Sequence, residues 1–339
     1  MTSRLDIHQP HDFFEYVRGA QPPADPHRID VALLDMNHSW PNMGHDSLVH
    51  IVLELAEEYR EQLVDAGLKV RVVSYDVRRA HEIPDSPGDR FLLYIGTGGP
   101  GHLDPRLNDG VSAFSQGIQE DDSWEGPLFR LFDGILGHPD ASLFGICHTF
   151  GLICRWSGVA HPELRAEKSS GMPTNVLSPE GLQHPWFAQF ANALPDHRHY
   201  RVIDNRLFDL VLDDRRGFVP LAHENERNLR AVTMMEFARD RSGVMPRIFA
   251  VNHHPEIIDR EHLMNVLQEK RAHGEVSEEW YEERSHTLER EMRGDGATQS
   301  RLTSHFTLLA PIRYQLAKLI RARRERLGLP AEAELAALH

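Results

Sequence analysis

The sequence is poor in cysteine and has no long apolar segment. Of its 339 residues only Cys147 and Cys154 are cysteines. Their seven-residue spacing would separate them by about 10 Å along a helix, too far for a disulfide. No run approaches the ~20 apolar residues that cross a bilayer, and the first residues lack the basic-then-apolar pattern of a signal peptide. We therefore expect free thiols and a cytoplasmic protein that does not enter a membrane.

The sequence also lacks an excess of positive charge and the common metal-binding spacings. Its 37 Lys and Arg residues stand against 51 Asp and Glu residues, a formal net charge of −14. Nucleic acid is therefore not an expected partner. Because neither a CxxC set nor an H-x-x-x-H pair occurs, we predict no metal and no cofactor. With 22 histidines, a short His motif arises easily by chance. Hydrophobic residues make up 40% of the chain, enough to bury a core and to exclude wholesale disorder.

Apolar runs alternate with helical spacing from Asp30 onward. The runs lie at 31–36, 70–75, 91–96 and 142–146, and the helical segments at 48–63 and 127–136. This alternation predicts an α/β fold, a mostly parallel sheet with helices on both faces. Ligand sites in such sheets lie beyond the carboxyl ends of the strands. The loops that begin at Asn37, Thr97 and Cys147 should therefore converge.

The two ends of the chain differ from this pattern. Residues 1–29 hold several prolines and no sustained period, so we predict an irregular lead-in to a domain of residues 30–258. After Gly158, β-type spacing predicts a small antiparallel patch and one last strand. Its segments are 200–204, 207–213, 218–223, 231–237 and 247–252. Residues 259–339 are predicted to be a helical extension. Its helices should lie at about 259–272, 277–293 and 299–327.

The segment Ser142-Leu-Phe-Gly-Ile-Cys147-His-Thr-Phe-Gly joins an apolar strand to an apolar helix through a cysteine. This layout is typical of a nucleophile elbow, a tight turn that exposes the nucleophile. The amides and dipole of the helix N-terminus favour negative charge there and can hold a developing oxyanion. The alternative is a small buried residue that packs the strand end. Cys154 lies inside the helix and is predicted to belong to the core.

Glycines follow the third apolar run in Tyr94-Ile-Gly-Thr-Gly-Gly-Pro-Gly101. Glycines at a strand end let the backbone bend sharply and present N–H groups to a ligand. The Lys-Ser/Thr pair of a phosphate loop is absent. Half of an oxyanion hole fits better than a phosphate cradle, and a plain turn is the alternative.

The tripeptide His-Pro-Glu occurs twice, at His161 and at His254. A histidine at a strand end can act as a general base, and a carboxylate two residues on can fix its tautomer. Only the second copy follows an apolar run, which places His254 at the same sheet edge as Cys147. Its neighbour His253 should point the other way, because side chains alternate along a strand.

Together these motifs resemble the class I glutamine amidotransferase family. The first strand, the GTGGPG loop, the GICHTFG elbow and the NHHPE segment occur in family order over about residues 30–258. The resemblance implies a flavodoxin-like fold and a catalytic triad of Cys147, His254 and Glu256. It implies substrate-binding and oxyanion positions at Gly98, Gly99, His148 and Thr149, with the N–H groups of Gly99 and His148 forming the hole. The implied reaction is hydrolysis of a carboxamide, glutamine or a γ-glutamyl compound, through a cysteine thioester with release of ammonia.

The elbow departs from the family pattern Gly-x-Cys-x-Gly-x-Gln at two positions. Thr149 replaces the second glycine and should crowd the turn, and Gly151 replaces the glutamine that helps shape the substrate pocket. These changes leave open a catalytically silent relative that binds a ligand or partner. Intracellular peptidase and glyoxalase-like relatives also carry a Cys-His pair at the elbow, but they lack the downstream His-Pro-Glu.

Partners are suggested by the helical tail. It is too short for a synthetase domain, so the ammonia would be released or passed to a separate synthetase chain. Its last helix carries one apolar stripe between Leu302 and Ile320, which must be buried, and then a basic segment, 321–326. The stripe either covers the protein's own sheet or joins two copies in a homodimer. Pro311 should kink or split this helix.

Two loops near the predicted site are expected to be solvated, with a functional alternative for each. Asn37, His38 and Trp40 lie on the first loop and are candidates for lining the pocket. The acidic insert Glu120–Glu125, with Trp124, is a candidate lid or weak cation site.

Overall fold

The computed structural model describes residues 5–19, 21–40, 43–213, 217–274 and 276–329. Residues 1–4 and 20 of the predicted lead-in, and residues 330–339 of the predicted helical extension, lie outside these ranges.

One mixed sheet of twelve strands carries the described part of the chain. In chain order the strands are β1 (Phe14–Arg18), β2 (Arg28–Asp35), β3 (Lys69–Asp76), β4 (Phe91–Gly96), β5 (Ser142–Ile146), β6 (Ala160–Gly171), β7 (Thr174–Leu177), β8 (His199–Arg201), β9 (Asp204–Leu212), β10 (Val219–Asn225), β11 (Asn228–Arg239) and β12 (Pro246–Val251). The parallel half has the order β1-β3-β2-β4-β5-β12. The antiparallel half continues as β11-β10-β7-β8, and β9 pairs with both β11 and β6.

Helices cover both faces of the sheet. They are α1 (Met43–Glu57), α2 (Arg60–Asp65), α3 (Glu125–Gly137), α4 (His148–Ser157), α5 (Pro179–Gln183), α6 (Phe187–Ala193), α7 (Arg260–Ala272), α8 (Glu278–Glu291), α9 (Asp295–Ser304) and α10 (Ala310–Arg326). A π-helical turn, His305–Leu309, joins the last two. Among the residues described, every helix is too short or too polar to cross a membrane.

The apolar runs are continuous because the central strands are buried on both faces. In β2, Val31 and Leu33 pack in one core, with side chains of α1 and α10. Ala32 and Leu34 pack in the other core, with side chains of α3 and α4. A strand between two helical layers has no solvent side, so it shows no polar alternation. The predicted α/β fold with a small antiparallel patch is confirmed.

The predicted irregular lead-in is wrong for Phe14–Arg18, which forms β1 and pairs in parallel with β3. This strand is short and lies at the edge of the sheet, where only Phe14 is fully buried. A half-exposed strand of this length leaves almost no periodic signal in the sequence.

The sequence also misses β6, the strand that contains the first His-Pro-Glu. This strand is mostly polar and pairs with β9 alone. Pro162 is tolerated there because an edge strand has one side without ladder hydrogen bonds. Its exposure explains why hydrophobic patterning did not reveal it.

The last helix, α10, shares the core of the sheet. Ile312, Leu316 and Ile320 of the predicted stripe are buried in the core that contains β2 and α1. The helical backbone continues past Pro311, which stands in the first turn of α10, and the π-helical turn before it joins α10 to α9. The stripe thus packs against the protein's own sheet.

The basic segment also contacts the same chain. Arg323 donates to the carbonyl of Pro26, Arg324 to the carbonyl of Gln62, and Arg326 pairs with Asp89. These contacts tie the end of α10 to α2 and to the loops that precede β2 and β4.

Candidate active site

The carboxyl ends of four parallel strands meet at one edge of the sheet and form a cavity of about 210 Å³. Asn37 follows β2, Gly99 follows β4, Cys147 follows β5 and His254 follows β12, and all four line this cavity. The predicted convergence of the loops therefore occurs, since parallel strands end at a common edge.

Cys147 occupies a sharp turn between β5 and α4. Its backbone has φ 48° and ψ −99°, a conformation that residues with a Cβ rarely adopt. Its N–H donates to the carbonyl of Val251 at 2.8 Å, which fixes the turn to the end of β12. Holding such a backbone costs about 1–3 kcal/mol, and such strain clusters at functional sites. The side chain is partly exposed at the N-terminus of α4.

His254 lies between Cys147 and Glu256. Its Nδ1 is 2.8 Å from Oε1 of Glu256, and the ring is close enough to the Cys147 side chain to interact with it. Burial alone would lower the pKa of His254, but the Glu256 carboxylate and the Cys147 side chain raise this pKa well above its ordinary value. A raised pKa keeps the imidazole protonated next to the sulfur.

The two other predicted histidines are elsewhere. His253 is fully buried, its ring packs edge-on against Tyr200 at a centroid distance of 5.8 Å, and it does not line the cavity. His161 is exposed on β6, where it bonds Asp213 at 2.7 Å and Glu163 at 3.2 Å. Of the two His-Pro-Glu copies, only the second is in the cavity.

The glycine loop approaches the elbow closely. A Cβ on Gly98 would lie 2.9 Å from Cε1 of His254, and one on Gly99 would lie 2.2 Å from the carbonyl oxygen of Met36. Both positions therefore need glycine. Within the described ranges, no backbone acceptor takes the N–H of Gly99 or of His148. Gly99 and His148 line the cavity, whereas Gly98 does not.

Thr149 is not where the resemblance places it. Its side chain is fully buried and does not line the cavity. Its hydroxyl donates to the carbonyl of Thr97 at 2.7 Å, and its N–H reaches the same oxygen at 3.3 Å. The expected crowding is relieved because Gly96 and Gly145 lack a Cβ where this side chain lies. Thr149 therefore fastens the elbow to the glycine loop and leaves no group for substrate.

The side chain of Leu103 explains why position 151 is a glycine. A Cβ on Gly151 would lie 2.3 Å from Cδ1 of Leu103. Leu103 thus occupies the space that a side chain at position 151 would need, and it lines the cavity. The wall above the first turn of α4 is consequently apolar.

The remaining candidates for the site are the loop after β2 and the acidic insert. Some of their side chains line the cavity and others are buried in the interior. Asn37 is buried, and both Asn37 and Trp40 line the cavity, whereas His38 does not. The expectation of a solvated acidic insert is wrong for its two ends. Glu120 is buried beside Arg78 and Glu125 pairs with Arg155, and Trp124 is buried as well.

Arg78 is a site-forming residue that sequence reasoning missed. It is fully buried and donates to the carbonyl oxygens of Met36 at 2.9 Å and Pro100 at 2.7 Å. It also forms a two-point ion pair with Glu120, at 2.6 and 3.0 Å. One guanidinium thereby joins the loop after β2 to the glycine loop. An arginine beside an exposed Arg79 carries no sequence signal for this role.

His148 follows the nucleophile position and is buried in the cavity wall. Burial, followed by the positive charges of Arg78 and Arg155, lowers the pKa of His148 well below its ordinary value. The ring is therefore neutral at physiological pH. Within the described residues, no cluster of three or more His, Cys, Asp or Glu side chains is arranged to hold a metal ion.

The two thiols should react very differently. Cys147 is partly exposed beside a protonated imidazole, whereas Cys154 is fully buried and its pKa is raised well above the ordinary value by burial. Iodoacetamide at neutral pH should therefore alkylate Cys147 selectively, because the thiolate is the nucleophile. Peptide mapping by mass spectrometry checks this, and preferential labelling of Cys154 in the folded protein would contradict it.

No protein-family model and no curated protein matches the chain. Solved structures that resemble it include a glutamine amidotransferase from Thermotoga maritima, with 14% identity, coverage of 86% of this chain and 98% of that chain, and a TM-score of 0.46. A glutamine amidotransferase from Methylobacillus flagellatus shows 13% identity, coverage of 92% and 99%, and a TM-score of 0.43. The glutaminase domain of Trypanosoma brucei CTPS, with bound acivicin, shows 12% identity, coverage of 68% and 87%, and a TM-score of 0.38.

Glutamine amidotransferases are thus found among the structures similar to this chain, as the motifs indicate. At these identities the likeness is one of fold alone.

Proposed function

We propose that the protein is a cysteine-dependent amidohydrolase that cleaves a carboxamide and releases ammonia. The observation that supports this most directly is the position of His254, which lies between Cys147 and Glu256. Cys147 itself occupies the strained strand-to-helix turn. A nucleophile, a base and an orienting carboxylate within hydrogen-bond reach form the arrangement that acyl transfer needs.

The reaction proceeds in two halves. The sulfur of Cys147 attacks the amide carbon, and the carbonyl electron pair moves to oxygen, where the N–H groups of Gly99 and His148 stabilise the charge. The protonated His254 gives its proton to the nitrogen, the C–N bond breaks and ammonia leaves. Water, deprotonated by His254, then cleaves the thioester and frees a carboxylic acid.

Glu256 holds the His254 ring in place. Its carboxylate is buried and accepts a hydrogen bond from Nδ1–H of His254. This bond directs Nε2 toward the sulfur of Cys147. Because both cysteines are free thiols, we also place the protein in the cytoplasm.

A panel of primary carboxamides and γ-glutamyl compounds tests the proposal. Ammonia release should depend on Cys147, and the intact mass should show a transient acyl adduct that the Cys147→Ser variant lacks. A ligand that binds in the cavity without ammonia or adduct would instead establish the silent binding protein that Thr149 and Gly151 leave open.

The rate should depend on pH through His254. Its pKa is raised well above the ordinary 6.5, and the protonated form is needed to release ammonia. Turnover should therefore persist above neutrality and fall only as the pH rises through the raised pKa. Glu256→Gln removes the charge that raises the pKa most, so the alkaline limb should move to lower pH. A kcat/KM profile from acid to alkaline pH checks this, and a limb near 6.5 in the parent protein would contradict it.

A further inference from the structure

Several large apolar side chains line the cavity beside Cys147. They come from several elements: Trp40, Met43, Leu103, Ile203, Phe208 and Trp280. Its volume of about 210 Å³ exceeds the ~150 Å³ of an apolar protein cavity that binds benzene. A phenyl-sized group can therefore lie next to the sulfur.

Leu103 fills the space beside Gly151. Its side chain lies within 2.3 Å of where a Cβ on Gly151 would be, so position 151 presents no side chain to the ligand. Phe208, which also lines the cavity, packs edge-on against the His102 ring at a centroid distance of 4.8 Å. Leu103 and Phe208 thus give the cavity apolar surface.

The charged side chains in the lining are paired with one another or with their neighbours. Arg206 pairs with Asp204 at 2.6 Å, Lys168 with Glu283 at 3.6 Å, and Arg284 with Glu283 at 2.8 Å. The Arg284 guanidinium also lies over the Trp280 ring, 5.3 Å from its centroid. A free amino acid would have to compete with these pairs, except at Oδ1 of Asp204, which has no hydrogen-bond partner among the described residues.

The mouth carries an exposed aromatic side chain. Trp40, on the loop after β2, is 41% exposed although it is large and apolar. Trp280, on α8, lines the same cavity. Aromatic side chains at such a position gain stability by covering an apolar ligand.

From these features we infer that the substrate is a carboxamide whose acyl group is apolar and of aromatic size. The group lies against Leu103 and Phe208, beside Trp40. This specificity rests on the amidohydrolase proposed above and excludes free glutamine as the preferred substrate.

Two alkylating ketones of different size test the inference. Cys147 attacks the bromine-bearing carbon of bromoacetone or of 2-bromoacetophenone, an S–C bond forms, and bromide leaves with the electron pair. Each rate is divided by the rate of the same reagent with free cysteine, which removes intrinsic reactivity. The normalised rate at Cys147 should be about 10- to 100-fold greater for 2-bromoacetophenone, the scale of discrimination by a hydrophobic pocket.

The variants Trp40→Ala and Phe208→Ala should each lower this preference at least threefold. Trp40→Ala removes a partly exposed side chain, so the result does not depend on core packing. Leu164→Ser, which changes a 58% exposed residue outside the cavity, should keep the parent preference. Equal normalised rates in the parent protein, or a preference that neither variant lowers, would overturn the inference.

The same experiment separates this inference from the proposed function. If alkylation of Cys147 depends on His254 but shows no preference for the aromatic reagent, only the specificity is wrong. If alkylation does not depend on His254, the proposed catalytic chemistry is wrong and the inference falls with it.

Discussion

Replacing His254 by Asn is expected to lower turnover by about 10³-fold or more, the scale seen when a triad histidine is removed. The imidazole both holds the proton next to Cys147 and delivers it to the leaving nitrogen, and an amide does neither. Cys147→Ala should be equally damaging, since the two residues act as a unit and their effects do not add. Steady-state ammonia release with the best carboxamide of the panel measures both.

His161→Asn is the matched control, because it changes the other copy of His-Pro-Glu by the same substitution. His161 is exposed and bonds only Asp213 and Glu163 within its own hairpin region. Turnover should stay at the parent level. If His161→Asn abolishes the reaction and His254→Asn does not, the assignment of the base is wrong.

Arg78→Met is expected to lower the free energy of unfolding by about 3–5 kcal/mol, the range for one partner removed from a buried ion pair. The Glu120 carboxylate, 1% exposed, would lose its cation. The carbonyls of Met36 and Pro100 would lose their donor. Turnover in the surviving folded protein should also fall, by about 10² if the Gly99 N–H moves from its position. Urea unfolding monitored by circular dichroism measures the change in the free energy of unfolding.

Two variants separate the ion pair from general damage. Arg79→Met alters the exposed neighbour and should change stability by no more than about 0.5 kcal/mol. The double variant Arg78→Met/Glu120→Met removes both charges. It should recover part of the lost stability, because no unpaired carboxylate remains. The losses of unfolding free energy in Arg78→Met and in Glu120→Met are measured separately. If the double variant loses as much as their sum, the pairing of these two charges does not stabilise the site.

Much of the parallel half of the sheet could be predicted because its signal is local. A strand such as β4 is apolar throughout, since helices cover both of its faces, and the glycines that follow it are needed where no Cβ fits. Edge strands such as β1 and β6 have partly exposed side chains and leave no comparable pattern. Their existence depends on a partner strand far away in the sequence.

By itself the sequence determined the α/β fold, the strand-to-helix turn at Cys147 and the placement of His254 at the same sheet edge, because each follows from a short pattern of neighbouring residues. Only the tertiary structure decided what surrounds them. Thr149 fits because Gly96 leaves room for it, Leu103 occupies the space beside Gly151, and Arg78 joins two loops through Glu120. The tertiary structure also decided where the apolar stripe on α10 is buried, which is against the sheet of the same chain. Such contacts join residues that are distant along the chain, and no spacing within the sequence records them.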